Sequence, residues 1–239
     1  MPVLYGVDPS VQASLSAGDV ERWLSKPRAD RYLAHCSGDL AQGLELYFWN
    51  SRLAAAAFSD TCHLEVALRN AYDRELSARF PEWAVDSGSR LFTRTQGHPN
   101  AARKQVEMNR RSEQALADAR RGLGASPTRG EVVAATTFGF WTRLTDRDRA
   151  SLFWNPMLSR AFVDSPSRPH IHELVSRINK FRNRLAHSEP VFSSRTGLHD
   201  RLHDVETLLG HISPKISAVV RATSEVPAIL ATCPVPTLV

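Results

Sequence analysis

The sequence predicts an all-α protein that folds as a helical bundle. Apolar residues recur at helical spacing over long stretches, for example at Leu40, Leu44 and Phe48, which gives each predicted helix one apolar face. Nowhere do apolar and polar residues alternate convincingly with the period of two that indicates a half-buried strand. The predicted helices also begin after capping residues and end near glycine or proline. These observations leave no sheet of consequence in the predicted fold.

The N-terminal third contains a short helix and a long one. The short helix begins at Asp19 and is ended by Pro27. Asp39 is the predicted N-cap of the long helix, because its carboxylate can accept hydrogen bonds from the first backbone N–H groups. The helical pattern continues to Pro81, either as one helix or as two with a bend near Asp60.

The middle of the chain combines a loop with two helices. Glycines and a proline in residues 84–100 predict the loop, and a polar helix follows over about residues 100–121. Thr128 and Glu131 have the spacing of a capping box. They open an aromatic-rich helix that continues through Leu144.

Three further helices complete the predicted fold. They span about residues 147–162, 169–187 and 198–222. Pro190 helps to terminate the second, because proline cannot continue a helix, and Pro214 is expected to kink the third.

We expect a single domain over residues 1–225, with a basic insertion at 84–128 and a loose tail at 226–239. The chain has 239 residues, of which 42% are hydrophobic, and this is enough for a sizeable core. The three cysteines are far apart, which excludes a zinc ribbon or disulfide framework and suits a reducing compartment. No signal peptide or membrane span is predicted. We therefore expect a cytoplasmic protein.

Basic residues are concentrated in one segment, residues 90–129. The whole chain carries 30 Lys and Arg against 25 Asp and Glu, a formal net charge of +5. Residues 90–129 hold nine basic and three acidic residues, so the remainder is close to neutral. Such a segment favours a polyanionic partner such as RNA, and the alternative is a solvated, arginine-rich surface helix. The predicted RNA-binding residues are Arg103, Lys104, Arg110, Arg111, Arg120 and Arg121.

The helix predicted at residues 169–187 has an apolar stripe and an opposite polar face. On a helical wheel, at about 100° per residue, Asn183 and His187 point almost directly away from the stripe. They are expected to face solvent or a groove shared with another subunit. The apolar stripe consists of Leu174, Ile178, Phe181 and Leu185.

The polar groups of this helix could cleave a phosphodiester without a metal. His187 suits proton transfer because imidazole titrates near neutral pH. Arg182 suits stabilisation of the crowded phosphorane, because guanidinium matches phosphate geometry and stays ionised. Asn183 can hydrogen-bond His187 or a phosphate oxygen. The alternative is an ordinary solvated helix face.

The spacing of Arg182 and His187 resembles the Arg-x4–6-His motif of HEPN ribonucleases. Residues 186–192, Ala-His-Ser-Glu-Pro-Val-Phe, resemble the Abi-like (abortive infection) branch of that superfamily. In that branch a second histidine often follows the first, whereas this chain has Ser188 there. Any role of that second imidazole therefore has no counterpart here.

Three other segments resemble Abi-like signatures and occur in the family's order. Residues 44–50 resemble its first long helix, and residues 63–71 and 137–144 resemble its second and third signatures. Together with the motif helix, the resemblance covers roughly residues 19–210.

The resemblance implies a metal-independent endoribonuclease acting as a toxin or phage-defence effector. The RNA 2′-hydroxyl would attack the phosphate and leave 2′,3′-cyclic phosphate and 5′-hydroxyl ends. One imidazole is not enough for both proton transfers, and Arg182 and His187 are about 140° apart on the wheel, so we expect a homodimer with a composite site. An antitoxin protein or RNA is a further candidate partner. The alternatives are a non-catalytic RNA-binding or antitoxin-binding HEPN module, or a protein silenced by a nucleotidyltransferase partner.

Two further pairs of polar residues have helical i, i+4 spacing. Glu65 and Arg69 are spaced i, i+4 with the acid first, which favours an ion pair. The resemblance places their helix near the motif helix, so they are candidates for supporting it, and the alternative is a helix-stabilising pair or a buried clamp. His199 and His203 have the same spacing and could hold zinc. Because no HExxH or cysteine pattern accompanies them, the sequence predicts neither a metal site nor a cofactor.

Overall fold

Ten α-helices and no strands occur in the part of the chain that the structure, a computed structural model, describes: residues 14–86, 91–92, 95, 98–193 and 196–238. The all-α prediction is confirmed. Short 3₁₀ turns lie at Arg147–Arg149, Leu158–Ala161 and Pro236–Leu238, and a π turn at Ala150–Trp154. The helices are α1 (Ala17–Leu24), α2 (Lys26–Leu33), α3 (Leu40–Ser77), α4 (Pro99–Arg121), α5 (Arg129–Ala135), α6 (Phe138–Leu144), α7 (Arg168–Ala186), α8 (Leu198–Ile212), α9 (Pro214–Thr223) and α10 (Val226–Leu230).

The chain divides into two compact units. Among the described residues, the first contains residues 14–59, 181–193, 196–201 and 223–238, and the second contains residues 60–86, 91–92, 95, 98–180 and 202–222. The predicted domain over residues 1–225 stays a prediction.

An aromatic core fills the second unit. Trp83 stacks on Phe140 with the rings 6.0 Å apart and 11° from parallel, and Phe140 meets Trp141 edge-on at 4.8 Å. Ring pairs of this kind stabilise a core beyond the area they bury. The aromatic residues of α6 are therefore core, and Leu174 and Ile178 of α7 are buried in the same cluster.

The first unit has a smaller core around α1, α2 and the start of α3. Val20, Leu24, Ala29 and Leu44 form its buried cluster. The fully buried Trp49 donates from its indole nitrogen to the carbonyl of Ile229 at 2.8 Å. That acceptor belongs to α10, so the segment expected to be a loose tail contains a helix, and its backbone is hydrogen-bonded.

Several boundaries follow the predicted local signals. The Asp39 carboxylate accepts a hydrogen bond from the Gln42 N–H at 3.0 Å, and α3 is one helix without interruption. Thr128 and Glu131 form the expected capping box. These predictions are confirmed. They could be made from the sequence because each depends on residues close together in the chain.

Other boundaries differ from the prediction. The helix expected through Leu144 is divided into α5 and α6, because Thr136 and Thr137 have extended backbone conformations. Pro27 lies in the first turn of α2, where its missing N–H costs nothing, and the left-handed Ser25 separates α1 from α2.

Two more predicted helices take another form. The helix expected over residues 147–162 is replaced by the 3₁₀ and π turns, and the last predicted helix is divided into α8 and α9 at Ser213. The fixed φ and missing N–H of Pro214 suit the first position of a new helix.

No helix among residues 14–86 or 98–238, where described, is both long enough and apolar enough to cross a bilayer.

Candidate functional site

The C-terminal half of α7 presents its polar face to solvent, as the wheel predicts. Phe181 and Leu185 are buried, with 2% and 4% of their surface exposed. Asn183 and His187 are exposed. Neither of these two side chains has a hydrogen-bond partner among the described residues, so both are free to contact a ligand.

A Schellman motif fixes the backbone at His187. The Ser188 N–H donates to the Leu185 carbonyl at 3.0 Å, and the Glu189 N–H donates to the Arg184 carbonyl at 3.1 Å. Ser188 has φ of +50°, which is the left-handed conformation that this motif requires and that glycine usually provides. The helix therefore ends in a defined turn directly after the imidazole.

Two side chains from α2 and α3 hold this turn. Arg28 donates from Nη2 to the carbonyl of His187 at 2.9 Å, where the negative end of the helix dipole favours a cation. The buried Asn50 accepts from the Val191 N–H at 2.8 Å and donates to the Glu189 carbonyl at 3.4 Å. Sequence reasoning assigned neither residue a role, although Asn50 closes the 44–50 signature.

Arg182 is half-buried and differs in its surroundings from Asn183 and His187. Its guanidinium carbon lies 5.3 Å from the centroid of the Phe58 ring. A cation over an aromatic face is stabilised by the ring quadrupole. Part of the Arg182 side chain is therefore engaged in packing, and the wheel did not predict this.

A cleft of about 520 Å³ opens beside the turn. Arg184 lies at its edge, with Nη1 3.2 Å from Thr196 Oγ1 and Nε 3.6 Å from a Glu189 carboxylate oxygen. The His35 ring packs edge-on against Phe192 at 5.3 Å. The cleft thus combines an aromatic wall with more cationic than acidic groups, which suits an anionic ligand. Its lining residues are Arg31, Ala34, His35, Arg184, Glu189, Pro190, Phe192 and Ser193.

The cleft could have been found from the sequence. Arg28, Arg31 and His35 have spacings of three and four residues around α2, which places their side chains on one helix face. The sequence analysis did not predict this basic face, because residues 90–129 carry a larger excess of positive charge.

That basic segment forms α4, and its charges are partly neutralised. Arg110 and Arg111 each contact the Glu107 carboxylate, at 3.0 and 2.9 Å. Their hydrogen bonds lower the pKa of Glu107 to about 2, so this acid stays ionised at neutral pH. Arg121 pairs with Asp118 at 2.9 Å.

The other three predicted RNA-binding residues differ from one another. Lys104 lies 3.4 Å from the Asp148 carboxylate. Arg120 is half-buried and donates to the Ala84 carbonyl at 2.7 Å, which is a structural contact. Arg103 is exposed, with no partner in the described segments. The predicted RNA surface of α4 thus carries both positive and negative charges. Arg120 makes a structural contact and is only partly available to RNA.

Arg69 contacts the backbone of α5. Its Nη1 donates to the Ala134 carbonyl at 3.2 Å, and the ion pair with Glu65 stays a prediction. Arg69 thereby holds the C-terminal end of α5 against α3. Glu65 is half-buried.

The described residues contain no group of three or more His, Cys, Asp or Glu side chains placed to hold a metal. His203 is exposed and contacts Thr207 Oγ1 at 3.4 Å. His199 lies beside Asp200 in the wall of a second, smaller cleft.

No model of a known protein family, no curated protein and no solved structure matches this chain.

Proposed function

We propose that this protein is a metal-independent endoribonuclease of the HEPN, Abi-like type, acting in the cytoplasm as a toxin or phage-defence effector. The observation that carries the proposal is the exposed Asn183–His187 face at a helix end that is held in a defined turn and flanked by arginines. Imidazole, amide and guanidinium are the groups that RNA cleavage by its own 2′-hydroxyl requires.

The proposed reaction is an in-line attack of the 2′-oxygen on the neighbouring phosphorus. His187 accepts the 2′-hydroxyl proton as the new P–O bond forms, and the bond to the 5′-oxygen breaks as that oxygen takes up a proton. Asn183 donates to a non-bridging oxygen, and Arg182 offsets the charge that accumulates there. The products are a 2′,3′-cyclic phosphate and a 5′-hydroxyl.

A second imidazole is needed for the second proton transfer. A homodimer with two copies of α7 across one groove would supply it, and this arrangement accommodates the wide angular separation of Arg182 and His187. The cleft formed by Arg31, His35 and Arg184 would then hold RNA phosphates next to the cleaved bond, and α4 would add non-specific contacts.

The test compares RNA cleavage by the wild type, His187→Ala and His199→Ala. His187 contributes backbone hydrogen bonds to the fold, from its N–H to the Asn183 carbonyl and from Arg28 to its own carbonyl. His187→Ala keeps both, so it should keep the melting temperature while cleavage falls by about 10²–10⁴. His199→Ala removes another exposed histidine and should cleave like the wild type. Equal cleavage by all three proteins would refute the proposal.

A specific observation favours a second candidate, a non-catalytic RNA-binding or antitoxin-binding module. Arg182 packs on Phe58. An arginine that is held by packing is less able to move towards a phosphate whose negative charge increases during the reaction. For a binding module, Arg182→Ala and His187→Ala would weaken RNA retention on a filter, and the wild type would cleave no RNA.

A further inference from the structure

Two histidines of the second unit bring their ring nitrogens together, away from the residues proposed for RNA cleavage. His170 lies in the first turn of α7 and His211 in the last turn of α8. Their Nε2 atoms are 3.1 Å apart and their ring planes are 87° from parallel. This contact requires one proton between two basic nitrogens, and two fully protonated rings could not share it.

A carboxylate fixes the orientation of one of these rings. The Nδ1 atom of His211 lies 2.8 Å from a carboxylate oxygen of Asp164, and the backbone carbonyl of His211 accepts from the Val163 N–H at 2.8 Å. With its Nδ1 hydrogen donated to Asp164, neutral His211 presents an Nε2 lone pair towards His170. A carboxylate behind the far nitrogen is the usual support of a metal-binding histidine.

We propose that His170 and His211 form a two-histidine site for a late transition-metal ion such as Zn²⁺, with Asp164 as the residue that positions His211. Two nitrogens bound at about 2.0–2.1 Å to one tetrahedral zinc ion are about 3.3 Å apart. The present separation of 3.1 Å between the two Nε2 atoms is within a few tenths of an ångström of this value. The ion would take the place of the shared proton, which moves to Nδ1 of His170.

The two histidines are accessible enough for a metal ion to replace the shared proton. His170 is exposed, and the His211 side chain keeps 16% of its surface accessible, so an ion can enter without opening the core. Two protein ligands leave the remaining positions to water, which is consistent with the lack of a group of three ligands among the described residues. The site would join the ends of α7 and α8 to the segment that carries Asp164.

The test is a calorimetric titration of the full chain with Zn²⁺ in metal-free buffer. We expect saturation at one equivalent, and His170→Gln and His211→Gln should each remove that saturable binding. His203→Gln changes an exposed histidine on the same helix as His211 and should leave it unchanged. Asp164→Ala should weaken binding about 10–100-fold, as expected when the carboxylate behind a ligand is lost.

Thermal melts provide a second, independent readout. Zn²⁺ should raise the melting temperature of the wild type and of His203→Gln, because an ion that binds only the folded state stabilises it. The same addition should not change the melting temperature of His170→Gln, whose fold is checked by its melt in EDTA. Absence of saturable binding by the wild type, or undiminished binding by both ligand variants, would overturn the proposal. Neither the titration nor the melts depend on RNA cleavage, so the metal site can be tested separately from the proposed function.

Discussion

The side-chain amide of Asn50 takes the place of a backbone partner for Val191: its oxygen accepts from the Val191 N–H at 2.8 Å and its nitrogen lies 3.4 Å from the Glu189 carbonyl. The same nitrogen lies 3.3 Å from the hydroxyl of Tyr32. Asn50 is completely buried. One residue of α3 therefore satisfies the polar backbone that follows the candidate catalytic helix.

We expect Asn50→Ala to destabilise the protein by about 1–3 kcal/mol, because it leaves a buried N–H without an acceptor. Chemical denaturation monitored by circular dichroism measures this change. Asn70→Ala is the matched control, since Asn70 lies exposed on the same helix and should change stability by less than about 0.5 kcal/mol. Equal stability of the two variants would show that the Asn50 contacts are not formed.

The guanidinium group of Arg149 is a buried cation in the second unit. Its Nη1 and Nη2 atoms donate to Ser112 Oγ at 3.0 Å and Asn109 Oδ1 at 2.9 Å, and its guanidinium carbon lies 5.1 Å from the Phe153 ring centroid. Burial is the main cause that lowers its pKa to about 10. At neutral pH the group stays charged, so its hydrogen bonds and ring contacts must replace the lost hydration.

We expect Arg149→Lys to lower the free energy of unfolding by about 2 kcal/mol, because lysine cannot reproduce the planar, two-pronged contact. Arg147→Lys makes the same change at an exposed neighbouring position and should be nearly neutral. Because the folded-state pKa of Arg149 is lowered, its burial disfavours folding at neutral pH. This penalty should diminish only as the pH rises above about 10.

Glu107 limits the positive charge that α4 can offer to RNA. We expect Glu107→Gln to tighten RNA binding, because it releases Arg110 and Arg111 from their shared carboxylate. The plot of the logarithm of the binding constant against the logarithm of the salt concentration should have a steeper slope. The increase should correspond to about one additional phosphate contact or more. Fluorescence anisotropy at several salt concentrations measures both effects. Glu21→Gln makes the same charge change outside α4, and an equal gain in that variant would indicate a general charge effect instead of an RNA surface on α4.

The proposed cleavage mechanism makes a prediction about the substrate. Cleavage should persist in EDTA, because the attacking oxygen belongs to the RNA and the developing charge is met by Arg182. An oligonucleotide with a single 2′-deoxy sugar at the cleaved position should resist cutting there and still be cut elsewhere. Gel analysis of end-labelled oligonucleotides measures both. If EDTA abolishes cutting, or the deoxy position is cut at the same rate, the 2′-hydroxyl mechanism is wrong.

Local signals in the sequence predicted much of this structure. The capping box at Thr128 and Glu131 and the buried stripe that includes Phe181 and Leu185 depend on residues within a few turns of one another. The exposure of His187 followed from the same stripe. The left-handed Ser188 was not predicted, because serine gives a weaker signal than glycine at that position.

The contacts that hold the candidate site were not predictable in this way. Arg28 and the carbonyl of His187 are 159 positions apart in the chain, and Asn50 and Val191 are 141 positions apart. No periodicity or spacing rule relates residues at such distances. The packing of Arg182 on Phe58 was unpredictable for the same reason. A helical wheel predicts the direction in which a side chain points, but it does not predict which residue from another part of the chain lies there.

The hydrogen bond from Trp49 to Ile229 has a practical consequence for shortening the chain. A version cut after residue 225 would follow the prediction of a loose tail, yet it would remove the carbonyl that the buried indole uses. That version should lose cooperativity in its melting curve and show altered tryptophan emission, since the polarity around the indole would change. The last helix is thus better treated as part of the folded protein than as a place to trim or to attach a tag.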